Sequence, residues 1–375
     1  MHTWSPPIEI ATSEMRSLAL LHAAHSDEMG CPPILTLRHL SEWTAVDYAF
    51  LRRVVQRSQF EPYYHFRIGK SQNGKRLISV PCARLLQVQR WIGQFVLGKL
   101  RTHNKAFGYV PKRSILDMAR MHLRSRWLIK VDLTNFFHNI DERAVYRVFQ
   151  QRCGYSKLVA FELARICTDV TSVWRQSGTS SRDFTIERYV DPRIGVLPQG
   201  APTSPPLSNQ VSAELDTRLN LCAAKRGLVY SRYADDLVFS TTSRSYSRDM
   251  AKRFLDEIGR VIRENGFIIN SNKTVLAGPG ARKSVLGLLV DSEQPRLTRE
   301  FKSELELQLY YVSRWGIEEH VKHRGFRSVR GMHNHLKGKL AFAKQVDPEF
   351  FGRMQQLYQF RSEASVREFG SRHLK

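Results

Sequence analysis

An α+β protein is what this sequence predicts. Short runs rich in β-formers, "RWLIKVDL" at 126–133 and the two halves of "YSRYADDLVFS" at 230–240, stand among longer stretches whose apolar residues recur at helical spacing. The second run folds back on itself as a hairpin, which calls for an antiparallel sheet. From about residue 296 the chain turns helical and basic, with sixteen Lys or Arg against nine Asp or Glu.

In chain order, an N-terminal helical stretch ends at the turn-rich "EMGCPPILTL" (28–37). Helical periodicity resumes at 84–100 and 114–125, and 126–133 is a buried strand. Residues 142–167 read as one helix and 171–194 as an irregular polar loop. The stretch 196–219 opens with turn residues and should become helix from about Ser208, after its prolines. Strands flank Asp235–Asp236, and 246–266 is an amphipathic helix ending at a glycine. Short strands are expected near 267–277 and 284–291, with a domain boundary near 296.

Charge narrows the function. The formal net charge is +23, which favours a polyanionic partner. Residues 1–50 carry six acidic and two basic side chains, whereas 51–130 carry eighteen basic ones against Glu61 and Asp117 alone. Phe60, Tyr63, Tyr64, Phe66, Trp91 and Phe107 interleave with those cations, a pattern suited to phosphate neutralisation and base stacking. Five scattered cysteines form no C-x-x-C pair, which indicates neither a zinc site nor a disulfide framework. No apolar run reaches the roughly 18 residues of a membrane span, and the N-terminus lacks signal-peptide character. The expectation is a cytoplasmic protein with no membrane partner.

Asp132 closes one strand, and Asp235 with Asp236 occupies the hairpin turn. A strand end and a neighbouring hairpin tip can meet in one sheet, gathering carboxylates in a small volume. Hard divalent cations take oxygen ligands of this kind, and a pair of them can activate a hydroxyl while stabilising a leaving pyrophosphate. An isolated Asp-Asp turn is usually only a solvated turn; order and spacing give this one its weight. Two other patterns carry nothing comparable: "GPGARKS" (278–284) lacks phosphate-loop spacing, and His333 with His335 have no partner ligands nearby in sequence.

In that order and spacing the chain resembles a reverse transcriptase. "LIKVDLTNFFHNI" (128–140), "GVLPQGAPTSPPLSN" (195–209), "YSRYADDLVFS" (230–240), "GFIINSNKT" (266–274) and "KSVLGLLVD" (283–291) are similar, colinearly, to the family's palm blocks. "KRLISVP" (75–81) and "AFGYVPKRSI" (106–115) look like its fingers blocks. The resemblance implies a right-hand polymerase fold: an N-terminal helical extension (1–50), fingers (51–126), a palm with an antiparallel sheet (127–295) and a helical basic thumb (296–375). It implies two Mg2+ ions, with Mn2+ as a substitute, held by Asp132, Asp235 and Asp236. Lys273 matches a lysine near the leaving pyrophosphate. Lys75, Arg76 and, on the same surface, Arg113 match basic residues that grip the triphosphate. Phe137 matches an aromatic gate against a 2′-hydroxyl, with Phe136 beside it a core residue, and Gln199 packs near the incoming nucleotide.

Within the family, "HLKGKLAFAKQVDPEFFGRM" (335–354) resembles retron enzymes, which copy part of a dedicated structured non-coding RNA into DNA in anti-phage defence. The partners so implied are that RNA, its DNA product, deoxynucleotides and a co-encoded effector protein. The retron Asn-Ala-x-x-His element is missing between Glu142 and Gly195, and Val-Thr-Gly is reduced to Val285-Leu286-Gly287. Abortive-infection and diversity-generating reverse transcriptases therefore stay open as alternatives. So does a catalytically silent RNA-binding scaffold, although intact Asp132, Asp235 and Asp236 disfavour it.

Overall fold

The computed structural model describes residues 13–57, 61–69, 75–170 and 193–358. The polar loop expected at 171–194 falls, except for its last two residues, outside the described residues. Three helices open the described chain: α1 (Ser13–Glu28), α2 (Leu37–Thr44) and α3 (Tyr48–Gln56). A ribbon of β1 (Tyr63–Gly69) and β2 (Lys75–Pro81) follows, then α4 (Ala83–Trp91), α5 (Ile115–Arg120) and β3 (Trp127–Asp132). Next come α6 (Glu142–Arg147), α7 (Lys157–Cys167), α8 (Ser204–Val211), α9 (Ala213–Lys225), β4 (Val229–Tyr233), β5 (Asp236–Thr241) and α10 (Arg248–Glu264). The last elements are β6 (Val275–Ala277), β7 (Ser284–Val285), β8 (Leu288–Leu289), β9 (Arg296–Leu297), α11 (Arg299–Arg324) and α12 (Val329–Val346).

These elements divide into two compact units. One takes the described residues up to Arg113, then Lys130–Leu237 and Asp249–Thr274; the other takes Ser114–Ile129, Val238–Arg248 and the described residues from Val275 on. The four-stranded sheet runs β4-β5-β3-β6, with β4 and β5 forming the expected hairpin. The second unit also holds a small antiparallel sheet, β7-β8-β9, and the long helices α11 and α12. Gly316, at φ 82, kinks α11, and the Lys302 ammonium pairs with Asp347 beyond the end of α12 at 2.6 Å.

Three helices differ from the sequence expectation, each for a local reason. The single helix at 142–167 is broken: residues 148–152 are π-helical, Gly154 turns left-handed at φ 72, and Ser156 caps a new start at α7. Residues 84–100 stay helical only to Trp91 before widening to a π-turn at 92–96 and tightening to a 3-10 turn. Conversely, α8 begins at Ser204, before Ser208, because Pro205 and Pro206 fall in its first turn, where an amide hydrogen would have no helical acceptor.

Two buried ion clusters brace the first unit. The wholly buried Glu142 carboxylate pairs with Arg57 and Arg165 and accepts the Gly195 N–H at 3.0 Å, which ties down the start of the "GVLPQG" turn. The wholly buried Arg232 guanidinium makes a two-pronged contact with Asp216, 2.7 Å on each arm, and the Tyr230 hydroxyl donates to the same carboxylate at 2.8 Å. Arg232 also donates to the Ala234 carbonyl at 3.3 Å, directly beneath the hairpin tip. We expect Asp216→Ala, which strands a buried guanidinium, to cost roughly 3–5 kcal/mol in urea denaturation. Replacing the pair together, Asp216→Leu with Arg232→Met, should recover most of that loss.

Candidate active site

The end of β3 and the tip of the β4–β5 hairpin meet through the backbone. Leu133 N–H donates to the Asp235 carbonyl at 2.9 Å, so the residues on either side of that bond, Asp132 and Asp235, are neighbours across it. The chain after α10 runs along the other side of the same segment: Asn270 N–H donates to the Asp132 carbonyl at 2.8 Å, and Thr134 N–H to the Ile268 carbonyl at 2.8 Å. That approach delivers two side chains to the Asp132 carboxylate. Asn270 Nδ2 donates to Oδ1 at 3.0 Å, and Lys273 Nζ donates to Oδ2 at 3.0 Å.

Electrostatics record how close the three carboxylates are. Burial raises the Asp235 carboxyl to about 6, and the charges of Asp236 and Asp132 push it the same way, against Lys273. Asp236 is raised too, first by burial and then by Asp132, against the Lys130 and Lys273 ammoniums. Among the described residues no three His, Cys, Asp or Glu side chains stand close enough together to enclose one ion as placed here. The donor chemistry nevertheless fits hard divalent cations: carboxylate oxygens only, with repulsion that positive charge would relieve. The Lys273 ammonium already stands where such charge is needed, on Asp132.

The hairpin tip is tightly held. Ala234 turns left-handed at φ 53, and a methyl group on Gly108 would lie 2.9 Å from the Ala234 nitrogen, so only glycine permits this approach. Phe107 N–H donates to the Arg232 carbonyl at 2.7 Å, and Asn209 Nδ2 to the Gly108 carbonyl at 2.8 Å. Arg113 turns onto this loop, donating to the His103 carbonyl at 2.8 Å and the Ala106 carbonyl at 2.5 Å. In this structure its guanidinium staples the loop.

Lys75 and Arg76 are exposed on β2, opposite Gly69 and Ile68 of β1. Further along β2, Ser79 N–H donates to the Gln199 carbonyl at 2.8 Å, docking the "LPQG" turn on the ribbon. Phe136 is buried and stacks on Phe267, ring centres 5.5 Å apart, whereas Phe137 is only half-buried. Tyr109 sits 6.3 Å from the Phe137 ring and 6.0 Å from that of Tyr233. Burial raises its phenol, the Asp235 and Tyr233 charges do likewise, and Arg76 opposes them. The structure thus gathers Asp132, Asp235, Asp236 and Lys273, with Phe137 and Arg76 linked to them through Tyr109. Sequence reasoning missed Asn270, Lys130 and Tyr109. The Asn-x-x-Lys spacing of "NSNK" held a signal for Asn270, because a turn puts both side chains on one carboxylate.

A carboxylate cluster where a strand end meets a hairpin tip, on a helix-flanked sheet, is the palm of a right-hand polymerase. Residues 68–290 match the family model described as reverse transcriptase, an RNA-dependent DNA polymerase. Among curated relatives, the retron Ec86 reverse transcriptase of Escherichia coli is 28% identical over 91% of this chain and 93% of its own length. Two from Myxococcus xanthus, the retron Mx65 and retron Mx162 reverse transcriptases, are 33% and 32% identical over 78% and 76% of this chain, which covers 63% and 58% of them. This chain belongs to the reverse transcriptase family and is an RNA-directed DNA polymerase. Among the described residues no helix is long and apolar enough to cross a membrane.

Asp235 yields a stability prediction. Its folded carboxyl, at about 6, holds its proton more tightly than the unfolded chain's ordinary 3.8. The resulting contribution to stability is full below about pH 3.8 and lost as pH rises through 6. In chelated buffer Asp235→Asn should therefore melt several degrees above wild type at pH 7.5, with the gap closing as pH falls from 6 towards 4, read by differential scanning calorimetry.

Proposed function

We propose that this enzyme is of the retron type: it copies part of a cognate structured non-coding RNA into single-stranded DNA, in the cytoplasm, as part of anti-phage defence with a co-encoded effector protein. The observation that carries the polymerase reading is the Leu133–Asp235 backbone bond, which sets Asp132 beside the Asp235–Asp236 tip. The retron assignment rests on relatives of that description across up to 91% of the chain. In this reading the fingers are residues 51–126, the palm 127–295 and the basic thumb 296–375, behind the extension 1–50.

Asp132 and Asp235, with Asp236, would hold the divalent ions. Two Mg2+, or Mn2+ in their place, would supply activation of the primer hydroxyl and charge neutralisation at the leaving pyrophosphate. The protein's own groups do the rest. Lys75 and Arg76, exposed on a ribbon docked to the "LPQG" turn, grip the triphosphate, Arg76 by its planar fork. Gln199 packs against the incoming nucleotide from that turn. Asn270 orients the Asp132 carboxylate, and Lys273, paired with that carboxylate, would counter the charge of the leaving pyrophosphate. Phe137 presents a half-buried ring where a 2′-hydroxyl would collide, favouring deoxynucleotides.

The test is to purify the protein with its copurifying RNA, add Mg2+ and labelled deoxynucleotides, and sequence the product. Labelled DNA templated by that RNA is expected, branched through a 2′-hydroxyl if the enzyme is of the retron type. Asp235→Asn should drop synthesis to the level of a mock reaction while the RNA stays bound, because only the ion site is lost. RNA-bound wild type that incorporates nothing would refute the activity; an unbranched product would refute the retron type. Mg2+ should also raise the melting temperature of wild type and leave that of Asp132→Asn unchanged.

A further inference from the structure

Tyr109 is a bulky residue in a conformation that such residues avoid. Its φ is 60, in the left-handed region, yet the residue is 47% exposed, so no core burial explains the strain. The loop that carries it is fixed on every side. Gly108 touches the hairpin at Ala234, Asn209 holds the Gly108 carbonyl, Phe107 bonds to Arg232, and Arg113 clamps the His103 and Ala106 carbonyls. This bracing sets the Tyr109 ring between two others, tilted 49° against Phe137 and 43° against Tyr233.

Phe137 needs such a neighbour. It lies on a one-turn 3-10 segment, Phe137–Asn139, and is half-buried. Phe136, 5.5 Å away, buttresses one flank. A ring that excludes one oxygen atom from a pocket must not swing, because a misplacement of about 1 Å in an active site can cost about a hundredfold. We propose that Tyr109 is the positioning residue that holds the Phe137 ring in place and so sets the sugar selectivity of the nucleotide pocket. This rests on the reading of Phe137 as the gate. The strained backbone is then part of the device, since it aims the Tyr109 ring at the gate.

The experiment measures kcat/KM for a deoxynucleotide and its matching ribonucleotide, on the RNA-bound enzyme, in wild type, Tyr109→Ala, Tyr109→Phe, Phe137→Ala and the double variant. Tyr109→Ala should lower discrimination roughly threefold to tenfold, the worth of one aromatic pair, chiefly through a lower KM for the ribonucleotide. Tyr109→Phe, which keeps the ring, should discriminate like wild type. In the Phe137→Ala background, removing Tyr109 should change discrimination no further, because the two act as one unit. If Phe137→Ala relaxes selectivity and Tyr109→Ala does not, the positioning role is overturned while the gate stands. Unchanged selectivity in Phe137→Ala overturns both. Should Tyr109→Ala fail to fold, Tyr109→Leu takes its place under the same criteria.

Discussion

Like charge gathered in a small, partly dry volume is the constraint on which the rest of the site depends. Three carboxylates cannot share a half-buried pocket unless something positive offsets them. The chain supplies that offset unevenly. Asp132 has an ammonium and an amide on its two oxygens, whereas Asp235 and Asp236 stay raised above the ordinary carboxylate range. The protein's own groups therefore leave charge unbalanced at the hairpin tip. A site that resists its own charge is one that binding of divalent cations would stabilise.

Backbone, more than side-chain packing, fixes where that charge sits. The hairpin is held from below by Arg232, whose buried ion pair with Asp216 leaves one nitrogen for the Ala234 carbonyl. It is held from the side by the 103–113 loop, through a contact that tolerates no Cβ at Gly108. The turn that docks on the ribbon is organised by Glu142. That buried carboxylate secures Gly195, and four residues on, Gln199 docks against Ser79 of the ribbon bearing Lys75 and Arg76. Buried ion pairs add little net stability. Here each one is spent on the placement of a turn, which explains why polar groups stand where apolar ones would pack as well.

The parts of this arrangement that obey local rules were legible in the sequence. The strand ending at Asp132, the β4–β5 hairpin and the amphipathic α10 follow from periodicity and turn chemistry, although the turn itself is Ala234–Asp235, and Asp236, expected within it, opens β5. The proline-bearing start of α8 is less legible, because the rule that prolines precede a helix leaves out that its first turn accommodates them. The break within 142–167 turns on Gly154, which reads equally well as a tolerated helical glycine until its left-handed φ is known. Arg113 was placed by family resemblance on the triphosphate side; its folded geometry turns it inward to carbonyls that no pattern identifies. Tyr109 and Asn270 act through long-range proximity, which one-dimensional spacing does not encode.

Strain marks the same place independently. Ala234 and Tyr109, both non-glycine and both left-handed, stand where Gly108 meets the hairpin at Tyr233 and Ala234. Each such residue costs about 1–2 kcal/mol relative to an ordinary conformation. A fold accepts that only where surrounding bonds over-determine the backbone. They do so here through Leu133 to Asp235, Arg232 to Ala234, Phe107 to Arg232 and Asn209 to Gly108. Relaxing either residue would need one of those bonds to break, and each bond also fixes the height or tilt of the tip that carries Asp235. The conformational cost and the placement of the carboxylate are therefore one property: the loop and the hairpin are strained because the bonds that place Asp235 hold them there against local propensity.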